Sequence, residues 1–395
     1  AQSNTAYETA RRTAAETDRQ LFVLNAKQIA ATLHSQQCPQ GNASGTVSSF
    51  TELGLIRHQI SLKKRHIPIR QLMSRAGKSL KALKPCFLMS PLSVAQYLPP
   101  GEIHFDLVVM DEASQIRPED AIGAIARGSN CVIVGDPKQL PPTSFFDGAD
   151  PTDGEEGEDH TLIVNTESIL DVCLTQLPMR RLTWHYRSQH ERLIQFSNDQ
   201  FYDSELKVFP SPVRDSATHG VRGTLVTAPS YRRGGYNRGE ADVVVQKAIW
   251  HLRRGGDDSL GIVAMNKRQA EEIEVLLEAE LRKDAALERR VSEMYPPLFV
   301  KNLENVQGDE RDIILISTTY GPSAAGEPVT QRFGPINSPV GHRRLNVIAT
   351  RARKCVEVIT SLRPTDILVG NNASAGTRAF RDYLSYVFTG RVPED

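Results

Sequence analysis

The chain has 395 residues, enough for two domains with complete cores, and its 39% hydrophobic and 24% charged residues are typical of a soluble protein. Lysine plus arginine (47) equals aspartate plus glutamate (47), so a basic surface for nucleic acid would have to be local and offset by acid elsewhere. No apolar run is long enough to predict a membrane segment, and five dispersed cysteines without a C-x-x-C pair predict reduced thiols in the cytoplasm and exclude a disulfide framework.

The first 84 residues are predicted to be helical. One helix is expected over residues 5–36, and a second, amphipathic helix follows Pro68 and ends before Pro85. From residue 86 the pattern changes to short apolar runs at 86–89, 107–110 and 131–134, separated by helical sequence. This alternation predicts an α/β fold with parallel strands and crossover helices.

The rest of the chain predicts a second set of strands and helices. The acidic segment 149–160 has no apolar residue after its first and is predicted to be a mobile loop, followed by a helix at 167–177. Further strands are expected at 182–186, 224–227, 260–265, 299–301, 312–318 and 356–360. Further helices are expected at about 189–201, 239–254, 267–282 and 341–353, and an amphipathic helix is expected from about 380 to 390.

Two carboxylates end the apolar run at 107–110. Asp111 and Glu112 would lie at the carboxyl end of a buried parallel strand, where α/β NTPases place a metal ligand and the group that activates water. A carboxylate oxygen of Asp111 suits Mg²⁺, and Glu112 could orient and deprotonate a water. For these two residues taken alone, a solvated strand end is the alternative interpretation.

A second loop follows the apolar run at 131–134. Residues 135–142 read Gly-Asp-Pro-Lys-Gln-Leu-Pro-Pro, which places Asp136 and Gln139 in a loop stiffened by proline. The amide of Gln139 can hydrogen-bond both a water and a phosphate oxygen. Together with the acid pair, this loop indicates a site that holds Mg²⁺ and a water against a γ-phosphate.

Three further motifs lie in the second half of the chain. Residues 182–188 read Leu-Thr-Trp-His-Tyr-Arg-Ser, residues 305–312 read Asn-Val-Gln-Gly-Asp-Glu-Arg-Asp, and residues 343–353 read Arg-Arg-Leu-Asn-Val-Ile-Ala-Thr-Arg-Ala-Arg. The last segment alone could be a cationic surface helix. In this order the five motifs resemble motifs II and III, the Tyr-Arg motif and motifs V and VI of superfamily 1 helicases, over about residues 65–365.

The resemblance is strongest to the branch that contains the nonsense-mediated-decay RNA helicase. Residues 84–98, Lys-Pro-Cys-Phe-Leu-Met-Ser-Pro-Leu-Ser-Val-Ala-Gln-Tyr-Leu, look like the large bacterial multidomain members of that branch. The resemblance implies two RecA-like lobes with parallel sheets, ATP and Mg²⁺ in a cleft, and single-stranded DNA or RNA that runs over both lobes. Members of this branch generally move 5′ to 3′.

The resemblance also implies roles for individual residues. Arg187 and Arg351 would reach the γ-phosphate as arginine fingers, because a guanidinium is always charged and forks onto phosphate. Gly308 would allow close backbone approach and Glu310 would meet the ribose. The residues expected to bind the nucleotide are Asp136, Gln307, Gly308 and Glu310.

A track for single-stranded nucleic acid is expected at strand ends. The candidate contacts to phosphate are Ser90, Pro91, Ser93, Thr318 and Thr319. Basic residues at 63–66 and 232–233 could add sequence-independent, salt-sensitive binding, and Tyr97, Tyr231 and Tyr236 could stack on bases. A short basic run is more often a solvated surface, so these contacts stay open.

A phosphate loop of the form G-x-x-x-x-G-K-[ST] is not found before Asp111. The nearest match, Ala-Gly-Lys-Ser at 76–79, lacks the first glycine and lies in a predicted helix, where backbone N–H groups are committed to the helix. The first lobe is therefore expected to be incomplete, and the remainder of a longer parent chain is expected to carry the Walker A segment.

The expected organisation has four parts. A helical segment covers 1–84, lobe one covers 85–180, lobe two covers 181–370 and a C-terminal helix covers 371–395. The expected function is the motor portion of an ATP-dependent helicase or translocase, inactive without its phosphate loop. A non-hydrolysing module that binds nucleic acid or a partner is the alternative, while a Rossmann-type oxidoreductase lacks its glycine-rich turn.

Overall fold

The computed structural model describes residues 4–142, 168–228, 230–232, 235–324 and 326–393. The chain divides into two compact units, Ala1–Val134 and Gly135–Asp395. The boundaries predicted from the motifs, after residues 84, 180 and 370, remain predictions. The acidic segment 149–160 lies outside the described residues. Within the described part of the chain, no helix has the length and apolarity that crossing a membrane requires.

The first unit contains five helices and two strands among its described residues. These are α1 (Asn4–Ser35), α2 (Glu52–Ser61), α3 (Ile69–Leu83), α4 (Pro91–Tyr97), β1 (Phe105–Met110), α5 (Pro118–Ile125) and β2 (Gly128–Ile133). Strands β1 and β2 pair in parallel, as the two apolar runs predict. Both predicted helices of the first 84 residues are confirmed, while α2 was not predicted.

The strand expected at 86–89 is not formed, and this prediction was wrong. Residues 84–90 have no assigned secondary structure, and Leu88 is fully exposed. A strand exists only where a neighbouring strand accepts its backbone hydrogen bonds, and the two strands of this sheet pair with each other. An apolar run alone does not supply that neighbour.

The second unit is built around a parallel sheet of five strands in the order β5-β11-β10-β8-β9. Its strands are β3 (Trp184–His185), β4 (Lys207–Val208), β5 (Gly220–Leu225), β6 (Tyr231–Arg232), β7 (Tyr236–Asn237), β8 (Leu260–Ala264), β9 (Phe299–Asn302), β10 (Arg311–Ser317) and β11 (Ala352–Thr360). Its helices are α6 (Ile169–Gln176), α7 (Arg192–Phe201), α8 (Arg238–Arg254), α9 (Lys267–Leu281), α10 (Ala285–Glu293), α11 (Gly341–Ala349) and α12 (Ala375–Thr389).

The side chains of β10 point alternately to the two faces of the sheet, which explains the three-layer packing of this unit. Ile313 and Leu315 join one apolar cluster with residues of α8 and α9, while Ile314 and Ile316 join another with residues of α7, α11 and α12. Successive side chains of a strand point to opposite faces, so a continuous apolar run buries both faces of the sheet. The predicted α/β class with parallel strands is confirmed.

Several elements of this unit differ from the expectation. The helix expected to reach residue 353 ends at Ala349, and β11 begins at Ala352, so Arg351 lies in the short connection between them. The hairpin of β6 and β7 and helix α10 were not predicted. Helix α12 is longer than expected and packs into the core, with Phe380 and Tyr386 fully buried.

Candidate nucleotide and nucleic-acid site

The acid pair lies at the carboxyl end of β1. Met110 before it and Ala113 after it are buried, and the Ala113 N–H donates to the Val134 carbonyl at 2.9 Å, which fixes both ends of the turn. Asp111 and Glu112 are exposed between these anchors. Glu112 has left-handed backbone (φ 54°), an uncommon conformation for a residue other than glycine. The turn therefore presents two neighbouring carboxylates to solvent, as the sequence predicts.

The acid pair suits a hard cation. In the described part of the chain, no three His, Cys, Asp or Glu side chains gather into a metal cluster. Mg²⁺ in NTPases is commonly bound by one or two carboxylates, with phosphates and waters completing its octahedron. The exposed oxygens of Asp111 at a strand end fit this partial ligand set.

The loop after β2 is held by a hydrogen-bonded network in the second unit. The Asp136 carboxylate accepts from the Tyr202 hydroxyl at 2.6 Å and from the Gln139 amide at 3.1 Å. The Asn346 amide donates to the Tyr202 oxygen and to the Lys138 carbonyl, both at 2.9 Å. Burial, followed by the charge of Asp136, raises the pKa of the Tyr202 phenol. Asp136 and Gln139 are therefore brought together, but Asp136 faces protein donors.

Tyr202 and Asn346 were missed by the sequence interpretation. Tyr202 follows the last residue of α7 in the sequence, and Asn346 lies inside α11, which carries the arginine-rich motif. Asn346 was part of a recognised motif, but nothing in the residue pattern shows that its side chain meets a loop some 200 positions earlier in the chain. The signal that could have found it is a buried polar residue on an otherwise apolar helix face.

Two of the predicted nucleotide-binding motifs meet at an ion pair. Arg187 Nε lies 2.9 Å from Glu310 Oε2, and both side chains are nearly half exposed. Gly308, two residues before Glu310, has φ +84°, and a Cβ built there would meet no atom within 4 Å. Gln307 is half-buried beside it. The structure thus joins Arg187 to Glu310 and leaves open space at Gly308, two residues away, while the roles of the three residues stay predictions.

Arg351 is placed differently from the expectation. Its side chain is 3% exposed, its Nε donates to the Val347 carbonyl at 2.8 Å, and its Nη2 donates to Thr350 Oγ1 at 3.1 Å. In this conformation the guanidinium is directed onto the end of its own helix. An arginine finger must present its guanidinium to a ligand, so the structure does not show Arg351 in that role.

The Ala-Gly-Lys-Ser segment lies in α3, as predicted, but for a different reason it cannot hold phosphate. The helix is kinked at Ala76 (φ −137°, ψ 17°), three residues before Ser79. That N–H donates to the Glu52 carboxylate at 2.8 Å, while the Ser79 hydroxyl donates to the Pro39 carbonyl at 2.7 Å. Ser79 is fully buried. A carboxylate of the same chain therefore occupies the amide that a phosphate would need.

The predicted nucleic-acid contacts divide into two groups. Ser90 is exposed and caps α4, accepting from the Ser93 N–H at 3.2 Å, with Pro91 at the first helical position. These side chains remain accessible to a ligand. Thr318 and Thr319 are both 0% exposed, because they lie under the ends of buried strands. The expectation that their hydroxyls contact nucleic acid directly is wrong for this conformation.

The remaining candidates lie on the surface or are half-buried. Residues 63–66 and Arg232 are exposed, and Tyr97, Tyr231 and Tyr236 are half-buried. Arg233 lies outside the described residues.

Comparisons with known proteins show the family of the chain. The AAA domain family matches residues 166–363, half of the chain, and a second AAA domain family matches residues 92–146. The chain is 35% identical over 317 residues to an uncharacterized ATP-dependent helicase, MG140, of Mycoplasma genitalium, covering 78% of this chain and 28% of that protein. It is 29% identical over 334 residues to the putative helicase MOV-10 of Gallus gallus, covering 71% and 33%.

A third relative is the DNA-binding protein SMUBP-2 of Mesocricetus auratus, 24% identical over 286 residues that cover 66% of this chain and 25% of that protein. The chain therefore spans a quarter to a third of the length of these relatives. The parallel sheet and the motif residues at its edges define an α/β protein of the ATP-dependent helicase type. The chain belongs to the superfamily 1 helicases, in the branch of the nonsense-mediated-decay RNA helicase.

Proposed function

We propose that this chain is the motor portion of an ATP-dependent helicase or translocase that moves 5′ to 3′ on single-stranded DNA or RNA in the cytoplasm. The observation that carries the proposal is the Arg187–Glu310 ion pair, because it joins a phosphate-sensing arginine from one motif to a ribose-binding acid from another. Each residue alone would be an ordinary surface group. Placed together beside Gly308, they form half of a nucleotide site.

In the proposed mechanism each residue has one task. Glu112 would orient the attacking water and take its proton. Gln139 would hydrogen-bond a water or a phosphate oxygen. Asp111 would hold Mg²⁺, which when bound would neutralise charge on the phosphates. Arg187 leaves Glu310 for the γ-phosphate, and Glu310 then becomes available to the ribose. Arg351 would have to turn away from Val347 to act as the second arginine.

We further propose that hydrolysis requires a phosphate loop supplied by the remainder of a longer parent chain. In the segment that comes nearest to a phosphate-loop pattern, the Ser79 amide is taken by Glu52. This observation also favours the second candidate function, a module that binds single strands without turnover. Both candidates predict strand binding, and only the first predicts an ATPase in the parent protein.

The discriminating experiment measures Mg-ATP hydrolysis with and without single-stranded DNA and RNA. The 395-residue chain is expected to bind strands in a salt-sensitive way without turnover. In a longer protein that supplies a phosphate loop, Glu112→Gln should lower the strand-stimulated rate by about 10²-fold or more, with strand affinity unchanged.

Glu119→Gln is the matched control, because Glu119 is an exposed glutamate on the neighbouring helix α5 and is 64% exposed. It should retain full activity. Turnover by the 395-residue chain that disappears in Glu112→Gln would show that a phosphate cradle exists within this chain. A longer protein whose ATPase survives Glu112→Gln would refute the assignment of the base.

A further inference from the structure

One fully buried carboxylate in the second unit has no task in the proposed mechanism. Glu240 lies in the first turn of α8 and is 0% exposed. It accepts hydrogen bonds from the Ser361 N–H, the Thr319 N–H and the Ser317 hydroxyl, each at 2.7 Å. A carboxylate taken from water is costly unless its oxygens are bonded, and these are. Glu240 therefore ties the carboxyl ends of β10 and β11 together.

Glu240 is the centre of a larger buried network. Gln269, at the start of α9, accepts from the Asn237 N–H at 2.7 Å and donates to the Ser317 hydroxyl at 3.0 Å. The Asn237 amide donates to the Ser361 hydroxyl at 2.8 Å and to Glu240 at 3.3 Å. Asn237 and Gln269 are also 0% exposed. We call Asn237, Glu240 and Gln269 the strand-end clasp.

The clasp fixes a strained residue. Thr319 has φ +69°, a left-handed conformation that is a clear outlier for a β-branched side chain. Its Oγ1 is buried and has no hydrogen-bond partner within the described residues. Strain of this kind persists only where the surroundings determine it, and the Glu240 bond to the Thr319 N–H is part of those surroundings.

The clasp also sets the position of the surface formed by the hairpin of β6 and β7. Asn237 is the last residue of the hairpin formed by β6 and β7, and this hairpin carries Tyr231 and the exposed Arg232. The Tyr231 ring lies 6.1 Å from the ring of Tyr320, the residue after the strained Thr319. Lys267, at the start of α9, is exposed beside the clasp residue Gln269. Tyr231, Arg232 and Lys267 thus offer an aromatic ring and two positive charges, the groups through which proteins bind a single nucleic-acid strand.

We propose that the strand-end clasp positions this edge for single-stranded nucleic acid, with Glu240 as its central positioning residue. The inference rests on the proposed function and deepens it. Glu240 does not contact the nucleic-acid strand itself. It acts through the end of β10 and through the hairpin of β6 and β7. Tyr231 would stack on a base, and Arg232 and Lys267 would contact phosphates.

For Glu240→Gln, an effect of charge alone and an effect on positioning predict opposite changes in the affinity for nucleic acid. If only the Coulomb interaction mattered, removing a negative charge near the nucleic-acid strand should tighten binding. Positioning predicts weaker binding, because the new amide must direct N–H groups at the N–H of Thr319 or Ser361, leaving a buried donor unbonded. We expect the dissociation constant to rise about tenfold, since such a donor destabilises the bound geometry.

The experiment measures the affinity of the 395-residue chain for fluorescently labelled oligo(dT) and oligo(U), with circular dichroism to verify the fold. Glu278→Gln is the control, because Glu278 lies on the exposed side of α9 and makes an i,i+4 pair with Arg282. It should change affinity less than about twofold. Glu240→Asp, which keeps the charge but shortens the reach, should also weaken binding.

Two outcomes would overturn the inference or its foundation. If wild type binds a strand and folded Glu240→Gln binds equally or more tightly, the clasp does not position the site. If wild type binds neither oligonucleotide, the proposed function itself fails. Should both Glu240 variants unfold, hydrogen exchange of wild type decides: the Thr319 and Ser361 amides should gain more protection on strand binding than those of β5, and equal protection would refute the clasp.

Discussion

Strands β10 and β1 have similar apolar sequences but different surroundings. In the second unit, all seven residues of β10 are buried, since helices cover both faces and a strand lies on each side. In the first unit, β1 has one neighbouring strand, and its Leu107 and Val109 are 50% and 58% exposed. A strand with this sequence gains stability only when both faces are covered.

The difference shows which unit has a closed core. The second unit has a closed core, and its site residues are held by buried partners. The first unit presents the acid pair from a sheet of two strands, and such a small sheet is marginally stable without further packing. We therefore propose that other parts of a longer protein cover β1 and β2, in agreement with the expected phosphate-loop segment.

The largest expected effect is on the units produced separately. A fragment of residues 135–395 should unfold in urea in one cooperative transition, because it contains the whole five-stranded core. A fragment of residues 1–134 should unfold without a sharp transition and bind a dye for exposed apolar surface. Circular dichroism and fluorescence against urea would measure both, and a cooperative transition in the shorter fragment would break the comparison.

A smaller effect is expected from matched substitutions in the two sheets. Leu315→Ala in β10 should lower the free energy of unfolding of the second unit by about 3 kcal/mol, because Leu315 is 0% exposed and would leave a cavity. Val109→Ala in β1 should cost less than about 0.5 kcal/mol in this chain, as expected for an exposed site. Urea titrations of both variants test this, and equal losses would contradict the contrast drawn between the sheets.

The smallest effect compares two ion pairs. In the second unit, Lys247 lies 2.8 Å from Glu357, which is 2% exposed; in the first, Lys81 lies 3.8 Å from Asp106, which is 99% exposed. Lys247→Met should cost about 2 kcal/mol at neutral pH, because it leaves a buried carboxylate without its cation. Lys81→Met should cost less than about 1 kcal/mol.

The pH dependence of the Lys247 effect has a definite sign. Burial alone would raise the pKa of Glu357, but hydrogen bonds from Lys247 and Thr224 outweigh it and lower the pKa below its usual value of 4.5. The pair therefore stabilises the fold above that value, and the stabilisation is lost as the pH falls through the lowered pKa. The difference in the free energy of unfolding between wild type and Lys247→Met should become smaller as the pH falls. A difference that becomes larger would show that the ion pair does not stabilise the fold in this way.

The sequence predicted most of what depends on local pattern. The strands β8 and β10 and the helices α8 and α9 follow from apolar periodicity, and the acid pair at 111–112 follows from its position after a strand. The strand expected at 86–89 failed for want of a distant partner, because these residues lack a neighbouring strand. The placement of Arg351 differs for a local reason, because its side chain folds back onto the end of its own helix.

The clasp shows the same limit. Asn237 is the N-cap of α8, its side chain accepting from the Glu240 N–H, and Glu240 lies in the first turn of the helix. Nothing local shows that Glu240 also binds Ser361, which lies 121 positions later. Contacts of this kind join the ends of strands that are remote in sequence, so only the three-dimensional structure reveals them.

The hydrogen-bond network at Asp136 determines which group donates and which accepts in each of its bonds. Asn346 donates to Tyr202, Tyr202 donates to Asp136, and Gln139 donates to the same carboxylate. Because an ionised carboxylate only accepts, the order of donors and acceptors cannot be reversed without protonating Asp136. This fixes the rotation of the Gln139 amide about its last torsion. Its nitrogen gives one N–H to Asp136, while its carbonyl oxygen and its second N–H are not used by these bonds, so Gln139 can accept a hydrogen bond from a water through the oxygen and donate one through the nitrogen.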